Sequence, residues 1–326
     1  MRHRRGGARR VSAGLGSGAP RSTIIDCDPG TDDALALWLA LASPELDLRL
    51  VTVVGGNVGL ARTLANARAV VGLSGRPIPV VPGADRPLRG NFAGEPAVHG
   101  EDGLAGVILP EGPPAVRAVA ADAIRAVLRE AGPGSATLVG IGPATNLALA
   151  LATEPDLAGR VREIVIMGGA WGEGNWTPAA EFNAASDPEA LDMLLALGAP
   201  LTLVTLELTM QALVTPARVE ALRRLGGGAC LRAAGDILAA VPPSRRLGGQ
   251  GHALHDACAV TWLLAPGLFG TRKVSVEVDC GPGPGRGRTH VDRWGRRRAE
   301  PRVTLPERLD ADGFFALLGQ RLARLP

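Results

Sequence analysis

This chain of 326 residues contains no tyrosine, a single lysine (Lys273), four cysteines and no long apolar run. Aromatic residues make up only 3%, while Ala, Leu, Val and Gly dominate, so the core is expected to be aliphatic helix on aliphatic sheet. Every apolar run is broken by charge or proline before the roughly 18 residues a membrane-spanning helix needs, and no span is expected. Cys27, Cys230, Cys258 and Cys280 include no C-x-x-C pair. That spacing argues against a disulfide framework or a zinc ribbon and makes a reducing cytoplasm the default. Cys27 stands between two acids, which raise its thiol pKa and make it a poor nucleophile.

Acid is missing from residues 1–22, which carry Arg2, Arg4, Arg5, Arg9, Arg10 and Arg21. Removing these six charges from the formal net charge of +3 leaves −3 for the remainder. The pI near 9.0 therefore belongs to a tail and does not indicate a nucleic-acid surface. The tail is rich in Gly, Ser and Arg and lacks an apolar h-region, so residues 1–22 are expected to be a disordered extension. A single folded domain is expected over 23–326, large enough to bury a sizeable core at 46% apolar content. A second arginine-rich stretch, Arg286 to Arg302, alternates with Gly, Trp294 and acids and is expected to be a solvated hairpin.

What the chain does have is Ile24-Ile25-Asp26-Cys27-Asp28-Pro29-Gly30-Thr31-Asp32-Asp33, an apolar run that breaks into four carboxylates within eight residues. Like charges at this density repel, and burying even one ionised carboxylate alone is costly. An N-cap explains one aspartate or two, not four. Oxygen-rich, sulfur-poor ligation points to a hard divalent cation, Ca²⁺ or Mg²⁺. Ser22 to Ile25 reads as a buried strand, Pro29-Gly30 as a turn, and Asp33 to Leu39 as the start of an apolar helix. The acids thus sit at a strand's carboxyl end and on a helix N-terminus, where α/β sheets place ligands and the helix dipole favours anions.

Strand-like and helix-like runs then alternate. Strands are expected at Leu48–Val54, Pro79–Pro82, Ala136–Ile141, Glu163–Met167 and Leu201–Leu206. Helices are expected at 61–73, 115–130, 144–152, 188–197 and 216–240, with a long glycine-rich loop over 86–109. The fold class this implies is α/β, a mostly parallel, doubly wound, Rossmann-like sheet. Three further clusters fall at strand ends. Asn175, Glu181 and Asn183 bring a carboxylate and two carboxamides, suited to gripping a polyol; Glu181 and Asn183, two apart, share one side of an extended segment. His255-Asp256 precedes an apolar helix, and alone would be no more than a capped helix start. Val98-His99-Gly100-Glu101-Asp102-Gly103 lies in the long loop, a candidate lid.

Together these clusters resemble the inosine/uridine-preferring nucleoside hydrolase family. The resemblance rests on Asp26 to Asp33, Val54-Gly55-Gly56-Asn57, His99 to Leu104, Gly142-Pro143-Ala144-Thr145-Asn146-Leu147, Asn175-x-Thr177-Pro178-x-x-Glu181-Phe182-Asn183 and His255-Asp256, in family order from about 22 to 320. It implies a Ca²⁺ site made by Asp28, Asp33, Asp256 and the backbone carbonyl of Ile141. It implies Asp28 as general base and His255 beside the leaving base, where His255 is the best-placed acid to give that base a proton or a strong hydrogen bond. Asp32, Asn57, Asn175, Glu181 and Asn183 are implied as ribose contacts, with His99, Met167 and Phe182 completing the substrate site. The implied reaction is hydrolysis of the N-glycosidic bond of a ribonucleoside, with a homodimer or homotetramer as the assembly. A tyrosine near the base, used by some pyrimidine-preferring relatives, is impossible here, which leaves base preference open.

Rival readings are a Mg²⁺-dependent phosphatase similar to the haloacid dehalogenases, through Asp-x-Asp and Gly-Thr, and a non-catalytic nucleoside-binding protein. Against the first, Pro29 displaces the glycine and only Lys273 could hold phosphate; against the second, every motif acid is present. A dinucleotide fingerprint over Gly140–Thr145 fails because its third glycine is missing.

Overall fold

The computed structural model describes residues 19–296 and 300–326. Its strands are β1 (Arg21–Cys27), β2 (Leu46–Val53), β3 (Val80–Pro82), β4 (Ala136–Gly140), β5 (Val161–Met167), β6 (Leu201–Val204), β7 (Leu213–Val214), β8 (His252–Ala253), β9 (Phe269–Val278), β10 (Thr289–Asp292) and β11 (Val303–Leu309). Nine of them form one sheet in the order β10-β9-β11-β6-β5-β4-β1-β2-β3, while β7 and β8 pair separately. Neighbours from β3 to β11 run parallel; β9 and β10 add an antiparallel edge. A mostly parallel α/β sheet is what the alternating pattern predicts, and the structure has it.

Alternation along each strand feeds two cores. Ile25, Cys27, Val139 and Ile141 face one side, beneath the helices Thr31–Leu41, Leu60–Leu73, Ala229–Ala240, Asp256–Leu264 and Ala311–Leu322. Ile24, Leu138, Ile164 and Leu203 face the other, beneath Ala120–Glu130, Thr145–Thr153 and Pro188–Ala196. The helix Thr31–Leu41 is buried along its whole length, and Trp38 satisfies its indole by donating to the Val70 carbonyl at 2.9 Å. A helix with no polar face belongs under other helices, and this one lies against Asp256–Leu264. Among the described residues no helix is long and apolar enough to cross a membrane, and all four cysteines are free.

Several expected boundaries shift for identifiable reasons. Of the expected extension over 1–22, residues 1–18 lie outside the described residues. Arg21 and Ser22 already belong to β1, because Leu46 and Asp47 pair with them and Arg21 meets Glu163 at 3.3 Å. The helix expected over 115–130 starts only at Ala120, since the Val116 N–H donates to Val80 at the sheet edge. The long loop contains a helical turn, Pro96–His99. The strand expected to reach Leu206 stops at Val204, where a turn from Leu206 to Thr209 takes over. The helix expected over 216–240 is two, Pro216–Arg224 and Ala229–Ala240, broken at Gly226, whose φ of +64° lies in the left-handed region. The hairpin expected over 286–302 is not one: β10 and β11 flank β9 instead of pairing with each other. Arg286 is tied to Glu189, and Arg293 to Glu307; residues 297–299 of that stretch lie outside the described residues.

One connection decides where the site forms. The chain steps from β1 to β2 and β3 on one side, then returns to place β4 on β1's other side. The crevice beyond the carboxyl ends of β1 and β4 is therefore the switch point at which open α/β sheets bind ligands. Asn146, at the start of Thr145–Thr153, braces it by donating to Asp26 (2.8 Å) and the Val53 carbonyl (3.2 Å) while accepting from the Ala84 N–H (2.9 Å). Asn146→Ala strands these groups in a dry interior and should cost about 2–4 kcal/mol. The expected result is a lower urea midpoint at unchanged slope; an unaltered midpoint would remove Asn146 from this bracing role.

Candidate active site

β1 runs out at Cys27 and delivers Asp28 into the crevice. Asp33, in the first turn of the following helix, folds back to accept from the N–H groups of Asp28 (3.2 Å) and Gly30 (3.0 Å). Asn57, in the loop after β2, closes the knot. Its N–H donates to Asp28 Oδ2 at 2.7 Å, and its amide donates to the Asp28 carbonyl (3.1 Å) and to Asp33 Oδ2 (3.2 Å). Gly56 and Gly142 flank the Asp28 carboxylate so closely that a Cβ on either would collide with it. Glycine is needed here for room, not for backbone freedom.

These groups fit a divalent cation. Carboxylate oxygens of Asp32, Asp33 and Asp256 lie within 4.8 Å of one another. Asp28 is not in that triplet, but its Oδ1 is buried and has no hydrogen-bond partner among the described residues. The Ile141 carbonyl, at the end of β4, lines the same cavity and already accepts from Asn183 Nδ2 at 3.0 Å, leaving a second lone pair. All these donors are hard oxygens. Burial, followed by the neighbouring acids, pushes the Asp28 and Asp256 carboxyls well above the usual range and Asp33 to about 7. Burial also raises Asp26 to about 7, against the hydrogen bonds from Thr52 and Asn146. The Cys27 thiol is pushed well up, first by burial and then by the surrounding aspartates. Carboxyls that resist ionisation this strongly need either protons or a cation.

The cavity beside them holds about 460 Å³, within the range of small-molecule sites. Asp32, Asn57, His99, Met167, Asn175, Glu181, Phe182, Asn183, His255 and Asp256 all line it, so residues scattered over the chain converge. Asp28 and Asp33 do not line it but are hydrogen-bonded to Asn57, which does. Glu181 and Asn183 are not on an extended segment. Glu181 caps the helix Phe182–Ser186, accepting from Asn183 N (2.8 Å), Ala184 N (2.9 Å) and Gly169 N (2.8 Å). Burial lifts its carboxyl to about 7 in spite of those three donors. Asn183 is the second residue of that helix, and its amide donates to the carbonyls of Ile141 and Met167. Asn175 is exposed at the rim and spends its Oδ1 on the Phe182 N–H at 2.9 Å.

Sequence reading missed other lining groups. Thr31 lies inside the acid motif without an assigned role, and Glu95 sits on the lid loop. His252, whose imidazole burial lowers to about 4, stands three residues before His255. Arg246 donates to the carbonyls of Gly174 (2.6 Å) and Glu173 (2.8 Å), joining two loops far apart in sequence; no local pattern announces it. An apolar wall comes from Leu238, Val241 and Pro242, at the end of the helix Ala229–Ala240. Lys273, which the phosphatase reading requires, lies exposed on β9 and away from this cavity.

The family described as inosine-uridine preferring nucleoside hydrolase matches residues 23–316. A pyrimidine-specific ribonucleoside hydrolase RihA of Klebsiella pneumoniae is 42% identical over 306 residues, covering 92% of this chain and 97% of the relative. The protein of the same name from Shewanella woodyi is 40% identical, covering 93% and 98%. Among solved structures, a purine-preferring ribonucleoside hydrolase from Gardnerella vaginalis superposes with a TM-score of 0.85 at 30% identity, covering 93% and 98%. A plant nucleoside hydrolase gives a TM-score of 0.83 at 33% identity, covering 93% and 99%.

The raised carboxyls make the cation-free protein sensitive to pH. Between about pH 4, where an unfolded aspartate ionises, and about 7, where Asp33 does, the folded state holds protons the unfolded state has lost. Stability therefore falls as pH rises through that window. The lowered histidines His99, His252 and His255 act in the opposite sense, but the raised carboxyls Asp26, Asp28, Asp33, Asp256 and Glu181 outnumber them. Chelated protein should melt at a lower temperature at pH 7.5 than at pH 5, with the gap closed by a divalent cation. Equal melting temperatures in chelator would contradict this account of the cluster.

Proposed function

The chain belongs to the inosine-uridine preferring nucleoside hydrolases, enzymes that hydrolyse the N-glycosidic bond of ribonucleosides, and we propose that it does so with Ca²⁺, using Asp28 as general base and His255 beside the leaving base. The observation that carries this is the buried, unpartnered Oδ1 of Asp28 next to the Asp32–Asp33–Asp256 cluster. Asp28, Asp33, Asp256 and the Ile141 carbonyl would hold the ion. When bound, Ca²⁺ would supply Lewis acidity that orients the sugar's vicinal hydroxyls and lowers the pKa of water.

Asp28 takes the proton of the attacking water. Asn57 holds its other oxygen, so the accepting oxygen is free and aimed by its partner. Hydrolysis passes through a sugar with oxocarbenium character, and the carboxylates of Asp32 and Glu181 offset the positive charge that develops there. Asp32, Asn57, Asn175, Glu181 and Asn183 hold the ribose, which every substrate shares. The electron pair of the breaking C–N bond passes to the base, which Met167, Phe182, His99 and His255 surround. A homodimer or homotetramer in a reducing cytoplasm is part of the same reading, and sedimentation measures the first.

The test is release of reducing sugar from uridine, cytidine, inosine and adenosine. Exhaustive chelation should abolish it, and Ca²⁺ rather than Zn²⁺ should restore it; a fully active preparation shown by elemental analysis to be metal-free would sink the mechanism. Asp28→Asn keeps an oxygen for the ion but cannot accept a proton, so kcat should fall by about 10²–10⁴ while substrate binding survives better. Single-turnover rates within about threefold of wild type would strip Asp28 of the base role. A panel on which no nucleoside is cleaved would leave the binding-protein reading.

A further inference from the structure

We propose that Thr31 and Thr209 are positioning residues that fix His99 and His255 as the tautomer protonated on Nε2, so that both rings present N–H donors to the bound nucleoside. The proposal rests on the reading that this cavity binds a nucleoside, but the tautomers themselves can be read without substrate.

His99 is the unambiguous case. Thr31 opens the helix Thr31–Leu41, and its N–H is one of the first-turn donors without a partner inside the helix. That N–H donates to His99 Nδ1 at 3.2 Å, and Thr31 Oγ1 stands 3.0 Å from the same nitrogen. A main-chain N–H can only donate, so Nδ1 must present its lone pair and the neutral ring carries its proton on Nε2. The positive end of the helix dipole opposes a second proton at this point. The approach needs a glycine before Thr31, because a Cβ on Gly30 would stand 2.6 Å from Nδ1.

His255 reaches the same state through a side chain. Thr209 Oγ1 lies 2.7 Å from His255 Nδ1 and 3.3 Å from the Leu206 carbonyl. That carbonyl already accepts from the Met210 N–H at 2.8 Å. A hydroxyl has one proton to give. A contact of 2.7 Å is a good hydrogen bond and one of 3.3 Å is beyond the normal range for a hydroxyl donor, so the proton goes to His255. Its Nδ1 is then an acceptor and its Nε2 a donor. Both rings line the cavity, and no hydrogen bond among the described residues engages either Nε2.

The consequence is chemical. A base that leaves with the electron pair of the C–N bond gathers negative charge on its ring nitrogens and carbonyl oxygens, and a neutral N–H aimed at one of them disperses that charge without a proton changing hands. The opposite tautomer would offer a lone pair and repel the departing base. Thr209 therefore acts through His255, and Thr31 through His99.

The two locks differ in a way that can be tested. The 326-residue chain has five histidines, few enough for long-range ¹H–¹⁵N spectra of histidine-labelled protein, assigned with His99→Gln and His255→Gln. Both rings should show a protonated Nε2 and an unprotonated Nδ1. Thr31→Val keeps the main-chain donor and should leave His99 unchanged. Thr209→Val removes the only donor to the His255 ring among the described residues and should move that ring to the Nδ1-protonated form or a mixture, with Thr209→Ser restoring it. In turnover of inosine or uridine, Thr209→Val should lower kcat about tenfold with KM within about threefold. The loss should shrink for p-nitrophenyl riboside, whose leaving group needs no donor. A protonated Nδ1 on either ring of the wild type, or a Thr209→Val spectrum identical to wild type, overturns the proposal. Absence of nucleoside cleavage would count against the functional reading, while the spectra would still decide the tautomers.

Discussion

Everything in this structure turns on the cost of holding several carboxyl groups in one dry place. Asp26, Asp28, Asp33 and Asp256 are all buried, and among the described residues none of them is in an ion pair with an arginine or lysine. What surrounds them instead is a set of neutral donors and bare backbone: the N–H groups of Asp28, Gly30 and Asn57, the amides of Asn57 and Asn146, and the space left by Gly56 and Gly142. Neutral donors soften the repulsion without cancelling charge. The cluster thus keeps a standing demand for positive charge, which is what the proposed cation would meet.

The sheet supplies the geometry that such a cluster requires. Parallel strands point their carboxyl ends the same way, so β1, β2, β4 and β5 deliver Asp28, Asn57, Ile141 and Met167 to one edge. The change of direction at β1 and β4 opens a crevice there, and the buried helix Thr31–Leu41 points its N-terminus into it. Asp256 comes from the far end of the chain, at the start of a helix packed against Thr31–Leu41. Apolar contact between two helices with no solvent-facing side is what holds the last carboxylate against the first.

Rigidity is distributed unevenly around the cavity. The floor is made of strand ends braced by Asn146 and Asn57, with Asp28 Oδ1 left without a hydrogen-bond partner among the described residues. The walls are loops: the one carrying His99 is pinned by Asn66, which donates to the carbonyls of Pro29 and Asp102, and the one carrying Asn175 is held by Arg246. The acid cluster thus stands on strand ends and helix starts, while the cavity's walls are segments joined by a few polar links.

By itself, the sequence determined the α/β alternation, the aliphatic core and the acid motif with its implied cation, because period, composition and local charge density are properties of neighbouring residues. It also carried the positions of Asn57, His99, Glu181, Asn183 and His255, through short motifs at strand ends. What it could not determine was set by contacts between distant segments. The late start of Ala120–Glu130 and the antiparallel β9–β10 edge depend on what lies alongside them. So do the cap formed by Glu181, the loops joined by Arg246 and the hydroxyl of Thr209 against His255, 46 residues away. A hydrogen bond is short and directional, so which donor meets which acceptor is decided only when the fold has brought both to the same few ångströms.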